Sequence, residues 1–197
     1  SDGWIVGERG TILRFDGISW VPHDSPTEQA LFDVTMVSAD EGWAVGAGVV
    51  LHYRDGAWRE DQQPTASFLY AIDMVSSHEG WAVGEDVLGL SGAMLHLVDG
   101  RWREVQPPVD INLYDLDMLS AEDGWAVGNF GTVLRYADGE WREAHTAAAP
   151  LFAVSMDTPT SGFAAGAEGA LLAFDGTAWV ETLSPTELSL FDLHAAT

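Results

Sequence analysis

The chain has 197 residues, 47% of them hydrophobic, enough for one domain with a substantial core and against a disordered tail. Its formal charge is −23, from 31 acidic residues against eight basic ones, and a field of that sign repels phosphate backbones and anionic lipid surfaces. There is no Cys, which excludes disulfides, thiolate metal sites and Cys nucleophiles.

Nucleic acid is therefore set aside as a partner, and cationic partners are favoured. No apolar run approaches the roughly 20 residues that cross a bilayer, so membrane insertion is set aside too. All eight basic residues are Arg. Acidity without Lys also suits a high-salt setting, and a Cys-free chain suits an extracellular or periplasmic one. The chain opens in mid-motif at Ser1-Asp2-Gly3-Trp4, which points to a mature product or an excised domain.

The first predicted element is the strand at Gly3-Trp4-Ile5-Val6-Gly7, and it announces a repeat. Related copies begin at Gly42, Gly80 and Gly124. A fifth at Gly162 has Phe163 for Trp and Ala165 for Val. The aromatic positions 4, 43, 81, 125 and 163 are spaced by 39, 38, 44 and 38 residues. Each copy is followed by an apolar run, an Asp-Gly pair and a second Trp (20, 58, 102, 141 and 179). Asp-Gly between two apolar runs is a hairpin signal, because a type I′ turn needs positive φ. A third motif precedes four of the copies: Leu31-Phe32-Asp33-Val34, Leu69-Tyr70-Ala71-Ile72, Leu113-Tyr114-Asp115-Leu116 and Leu151-Phe152-Ala153-Val154. A fifth instance, Leu190-Phe191-Asp192-Leu193, stands near the C-terminus. No segment has helical periodicity.

Four short antiparallel strands repeated at about 40 residues predict an all-β fold, a closed five-bladed β-propeller. The expected blades are 187–197 with 1–25, then 30–64, 67–109, 111–148 and 149–185. The N- and C-termini share one blade, a closure that removes exposed sheet edges. An arc cut from a larger ring is the alternative.

The run Gly-Trp-Ala-Val-Gly-x-x-Gly-x-x-Leu-Arg-x-x-Asp-Gly-x-Trp, clearest from Gly124 through Trp141, resembles the repeats of photosystem II stability and assembly factors. More broadly it is similar to BNR or Asp-box repeats, which include sialidase-like propellers. The resemblance covers all five repeats and implies the fold. Asp boxes have Ser or Thr two residues before the Asp, where this chain has Arg14, Tyr53, Leu97, Tyr136 and Ala173. The assembly factors have more blades and bind a photosystem subunit through a basic patch, where this chain is acidic.

The recurring Trp residues read as packing between blades. The first strand of each blade is expected to line the axis. Its third and fifth positions place Asp33, Asp73, Asp115, Asp117, Asp192 and His194 there, while Phe32, Val34 and Met36 are expected on the opposite, core face. Crowded axial carboxylates call for raised pKa values, ordered water or a cation. No other cofactor is expected. Arg14, His52, His96 and Arg135 on the third strands are expected to bridge blades by pairing with acidic residues. The rim candidates are Glu8, Arg9, Glu85, Asp86, Asn129, Phe130 and Glu168. The insertion from Glu85 to Gly92 breaks fivefold equivalence and is the best single candidate for a specific contact.

Three functions compete. A non-catalytic interaction or scaffold module binds a protein partner. A lectin-like propeller binds glycan through exposed aromatics beside Asp or Asn, such as Phe130 with Asn129. A glycosidase uses axial carboxylates such as Asp33, Asp115 and Asp192. The regular ring and short loops favour the interaction module.

Overall fold

The computed structural model describes residues 3–61 and 67–196. It is all-β: a five-bladed propeller built from antiparallel sheets. Blade one has β1 (Gly3–Val6), β2 (Ile12–Phe15) and β3 (Trp20–Pro22). Blade two has β4 (Leu31–Ser38), β5 (Glu41–Gly46), β6 (Val50–Arg54) and β7 (Ala57–Glu60). Blade three has β8 (Phe68–Ser76), β9 (Glu79–Glu85), β10 (Gly92–Val98) and β11 (Arg101–Val105). Blade four has β12 (Leu113–Ser120), β13 (Asp123–Gly128), β14 (Thr132–Ala137) and β15 (Glu140–Thr146). Blade five has β16 (Leu151–Thr158), β17 (Ser161–Gly166), β18 (Leu171–Phe174) and β19 (Trp179–Glu181). Within each sheet the strands lie in sequence order, so every connection is a hairpin.

The Asp-Gly pairs make two kinds of turn. In blades two to four, Asp55-Gly56, Asp99-Gly100 and Asp138-Gly139 all have positive φ at both residues, the type I′ pattern expected. In blades one and five one more residue precedes the Trp, and the Asp works through its side chain. Asp16 Oδ1 accepts from the Ile18 and Ser19 amides, and Asp175 Oδ1 from those of Thr177 and Ala178.

The core lies between blades, where the Trp residues do the packing expected of them. The strand-two Trp of one blade meets the strand-three aromatic and strand-four Trp of the next. Trp4 lies 4.7 Å from Tyr53 and 5.4 Å from Trp58. Trp81 meets Tyr136 at 5.0 Å and Trp141 at 5.5 Å. Trp125 meets Phe174 at 4.8 Å and Trp179 at 5.3 Å. Between blades two and three, Trp43 shares a cluster with Leu97 and Trp102. The Trp–Trp pairs are edge-to-face, the favoured geometry for aromatic quadrupoles.

The fifth junction differs. Phe163 and Trp20 hold the same positions on blades five and one, yet they are 43% and 46% exposed. The C-terminal stretch lies against blade five as the next inner strand would. The Leu190 amide donates to the Gly166 carbonyl at 2.9 Å, as Leu31 does to Gly7 at 3.0 Å. Among the described residues the sheet of blade one has three strands, and residues 190–196 make no ladder with β1. The extreme termini, where the shared blade was expected to join, lie outside the described residues.

Candidate functional site

The inner strands β4, β8, β12 and β16 stand side by side around the axis, and each carries an irregularity near its start. The pairing slips between Leu31 and Asp33, Leu69 and Ala71, Leu113 and Asp115, and Leu151 and Ala153. This is a β-bulge: two residues of the inner strand oppose one of its partner. The glycine that closes each Gly-Trp-Ala-Val-Gly motif permits the close approach here. A Cβ on Gly84 would overlap the Phe68 carbonyl.

The bulge overturns the expected place of Phe32. Strict alternation puts it on the core face with Val34 and Met36. The extra residue turns it out of the core, and it is 44% exposed. Its ring lies 5.6 Å from Tyr70, Tyr70 lies 6.0 Å from Tyr114, Tyr114 5.6 Å from Phe152, and Phe152 5.5 Å from Phe191. One aromatic from each inner strand and one from the C-terminal stretch thus form an arc where the inner strands begin.

The carboxylates sit further along the inner strands, Asp33 and Asp115 directly after Phe32 and Tyr114, Asp73 and Asp117 three residues after Tyr70 and Tyr114. Their oxygens accept backbone amides of the next inner strand. Asp33 takes the Ile72 amide at 2.8 Å and Asp115 takes that of Val154 at 2.8 Å. Asp73 takes the Met118 amide and Asp117 that of Met156, both at 2.7 Å. Ser155 Oγ accepts from Ala195 at 3.2 Å in the same position. These side chains tie blade to blade.

The environment acts on them as expected of crowded acids. Burial pushes the Asp115 carboxyl up to about 7 against the pull of the Val154 and Leu116 amides. Burial raises Asp73 to about 6, with the neighbouring Asp117 charge adding to it. Asp33 and Asp117 are raised by the same desolvation, Asp33 with a contribution from Asp192 and Asp117 with relief from His194. Asp192 and His194 lie in the exposed C-terminal stretch, close enough to the axis to act on those neighbours. Among the described residues no three His, Asp or Glu side chains are grouped to hold a metal ion.

Among the described residues, His52, His96 and Arg135 pair with acids of their own blade instead of bridging to the next. All four strand-three bases lie over the Trp of their own blade. His52 stacks on Trp43 at 4.3 Å and His96 on Trp81 at 4.0 Å. Arg14 lies over Trp4 at 5.3 Å and Arg135 over Trp125 at 5.1 Å. Their acids come from the start of strand two: His52 with Glu41 at 3.0 Å, His96 with Glu79 at 2.5 Å and Arg135 with Asp123 at 3.3 Å. Adjacent strands in register make the same-blade partner the near one. Arg14 also reaches the neighbouring blade, donating to the Tyr53 hydroxyl at 3.4 Å.

The rim candidates separate into supports and exposed groups. Glu85 accepts from the Tyr70 hydroxyl at 2.6 Å and from the Asn112 side-chain amide, so it braces the aromatic arc. Asp86 folds inward and closes the blade-three loop, taking the Leu88 and Leu90 amides and the Ser91 hydroxyl. What that insertion presents outward is Val87, Leu88 and Leu90, which stand beside the two acids named from it. Glu8 accepts the Thr11 amide through its carbonyl and closes its turn. Asn129 Oδ1 takes the Phe130 amide at 3.0 Å. Arg9, Phe130 and Glu168 occupy equivalent turn positions with φ of 55°, 54° and 56°. Their sequence positions are set by turn geometry, and Phe130 projects into solvent at 69% exposure.

No family model matches the chain. No curated protein matches it either. Solved structures do. A structure described as YCF48 bound to D1 peptide is 17% identical, with a TM-score of 0.68 over 91% of this chain and 63% of that one. YCF48 from Cyanidioschyzon merolae is 13% identical, with a TM-score of 0.70 over 96% of this chain and 70% of that one. An ancestral GH74 enzyme is also 13% identical, with a TM-score of 0.70 over 95% of this chain and 29% of that one. At these identities the likeness is one of fold. The chain spans less than two thirds of the first of these structures.

Proposed function

We propose that this propeller is a non-catalytic module that binds a protein partner. The observation that carries the reading is the use of the axial carboxylates. Asp33, Asp73, Asp115 and Asp117 each hold a backbone amide of the neighbouring blade. A glycosidase needs one carboxyl free to protonate a leaving group and another free to attack or to activate water. Oxygens committed to backbone amides are poor candidates for either role. The rim instead offers exposed apolar side chains on ordered loops, among them Leu88, Leu90 and Phe130. Such groups on a rigid frame serve recognition. A YCF48 structure bound to a peptide and the other propellers of like fold support a protein ligand.

Peptide display against the immobilised domain tests this, run beside reducing-sugar release from a glycan panel. Enrichment of a peptide motif without sugar release is the expected result. Sugar release that is abolished by Asp115→Ala would overturn the reading in favour of a hydrolase.

A further inference from the structure

Among the described residues the outer side of the aromatic arc is open to solvent. Phe32 and Phe191 are 44% and 75% exposed, and Tyr70, Tyr114 and Phe152 are partly so. Five aromatic side chains in a continuous chain of ring contacts, open to solvent, form more than scattered surface apolarity. One ring of the arc is also held in place. The Tyr70 hydroxyl is fixed on Glu85, which is fixed in turn by Asn112. A ring held this way loses little freedom when a ligand arrives.

Charge selects the ligand. The bulges set the carboxylates Asp33 and Asp115 directly next to Phe32 and Tyr114 in the chain, with Asp73 and Asp117 two residues beyond the third position. No Lys or Arg stands on β4, β8, β12 or β16 to balance them, and the whole chain carries a formal charge of −23. A ring face attracts a cation through its quadrupole, and a guanidinium or ammonium does so within about 6 Å of the centroid. The alkyl stem of Arg or Lys packs on aromatic rings while its head stays polar. A bare metal ion fits less well, because oxygens of all four carboxylates already accept backbone amides.

We propose that the arc Phe32–Tyr70–Tyr114–Phe152–Phe191 is the docking site for a basic peptide segment of the partner, which lays an Arg or Lys side chain on the rings beside the axial carboxylates. This rests on the interaction-module reading and gives it a place and a partner chemistry. The aromatic faces supply specificity, and the axial charge supplies attraction and speed of encounter.

The test must separate the arc from the diffuse pull of a very acidic protein. The probe is a fluorescein-labelled peptide of Arg-Gly-Ser repeats, read by anisotropy at 50 and 300 mM NaCl. Phe152→Leu and Phe191→Leu leave the charge unchanged. Each is expected to weaken binding about 3- to 10-fold, the loss of one partly desolvated cation–π contact. The effect should persist at the higher salt, where long-range attraction is screened. Leu183→Ala, at an exposed site outside the arc, should bind as wild type does. Phe191 is so exposed that its replacement spares the fold, and a thermal melt of each variant confirms this. Equal binding by wild type and both arc variants at both salts would overturn the proposal and leave only diffuse attraction. Binding of maltoheptaose that the same variants abolish, with no response to the Arg peptide, would overturn it in favour of a glycan site. If the Arg peptide fails while display selects another motif, the arc proposal falls and the interaction module stands. If both are blank, both fall.

Discussion

Replacing Asp115 by Asn isolates the energetic consequence of burying charge on the axis. In the folded chain this carboxyl titrates near 7, raised chiefly by burial. In the unfolded chain it titrates near 3.8, the ordinary value for an aspartate. The folded state therefore holds the proton over a range where the unfolded state has released it. The stability linked to this proton is fully present below about pH 4 and is lost as pH rises towards 7. Between pH 4.5 and pH 8 the loss at this one site is about 3 kcal/mol, at ~1.4 kcal/mol per pKa unit. Asn cannot titrate, and its side-chain oxygen still meets the Val154 amide, which sits 2.8 Å from the native carboxylate. Urea unfolding of both proteins at pH 4.5, 6, 7 and 8 gives the comparison. The variant should gain on the wild type as pH rises, by about 3 kcal/mol across the range. Relief of the neighbouring Asp33 and Asp117 charges acts in the same direction. A stability difference that stays constant with pH would refute the placement of a buried, proton-holding carboxyl on the axis.

The same unfolding assay checks three further expectations. Trp81→Ala, at a junction where the indole is 2% exposed, should cost about 3–5 kcal/mol, whereas Trp20→Ala, at the open fifth junction with 46% exposure, should cost about 1 kcal/mol or less. Equal losses would show that the fifth junction is packed like the others. Arg135→Ala removes one cation–π contact and one part-buried ion pair, and should cost about 1 kcal/mol. Phe130→Gly relieves a left-handed non-glycine residue, and should stabilise by about 0.5 kcal/mol after the entropy of glycine is counted. A loss of stability there would mean that the Phe130 ring packs on the body of the blade.

The fold was legible because a repeat states itself many times. Gly-Trp-Ala-Val-Gly, the Asp-Gly turn and the later Trp fix strand ends at a constant spacing, and drift in one copy, such as Phe163, does not hide the period. Burial of Trp43, Trp81 and Trp125 follows from the same argument. The site was less legible, because it depends on departures from period two. The second aromatic of Leu-Phe-Asp stands in all five copies, at 32, 70, 114, 152 and 191. Alternation alone assigns it to the core, and nothing local in the strand marks the bulge. The signal was across the strand: each motif ends in a glycine that the inner-strand backbone overrides. The roles of the axial carboxylates were invisible for a related reason. Their amide partners lie 39 to 45 residues away, on the next blade. The exposed fifth junction could not be read at all, since Phe163 and Trp20 are as apolar as their buried counterparts.

The axial acids raise a question that packing alone does not answer. Tying one blade to the next needs an acceptor, and it does not need a charge. Ser155 performs the same task with a neutral hydroxyl. Ala71 and Ala153 show that the third position of the inner strand also works with no acceptor of its own. Asp33, Asp73, Asp115 and Asp117 are nevertheless acids, and burial raises the pKa of every one. Ionising them destabilises the folded state near neutral pH, where a hydroxyl would not. A feature that lowers stability without being needed for closure fits a binding role better than a structural one. A cation seated on the aromatic arc would draw these carboxyls back towards ordinary values and recover part of that stability on binding. The same reasoning ties the acids to the aromatics: an arc intended only for apolar contact would gain nothing from negative charge beneath it.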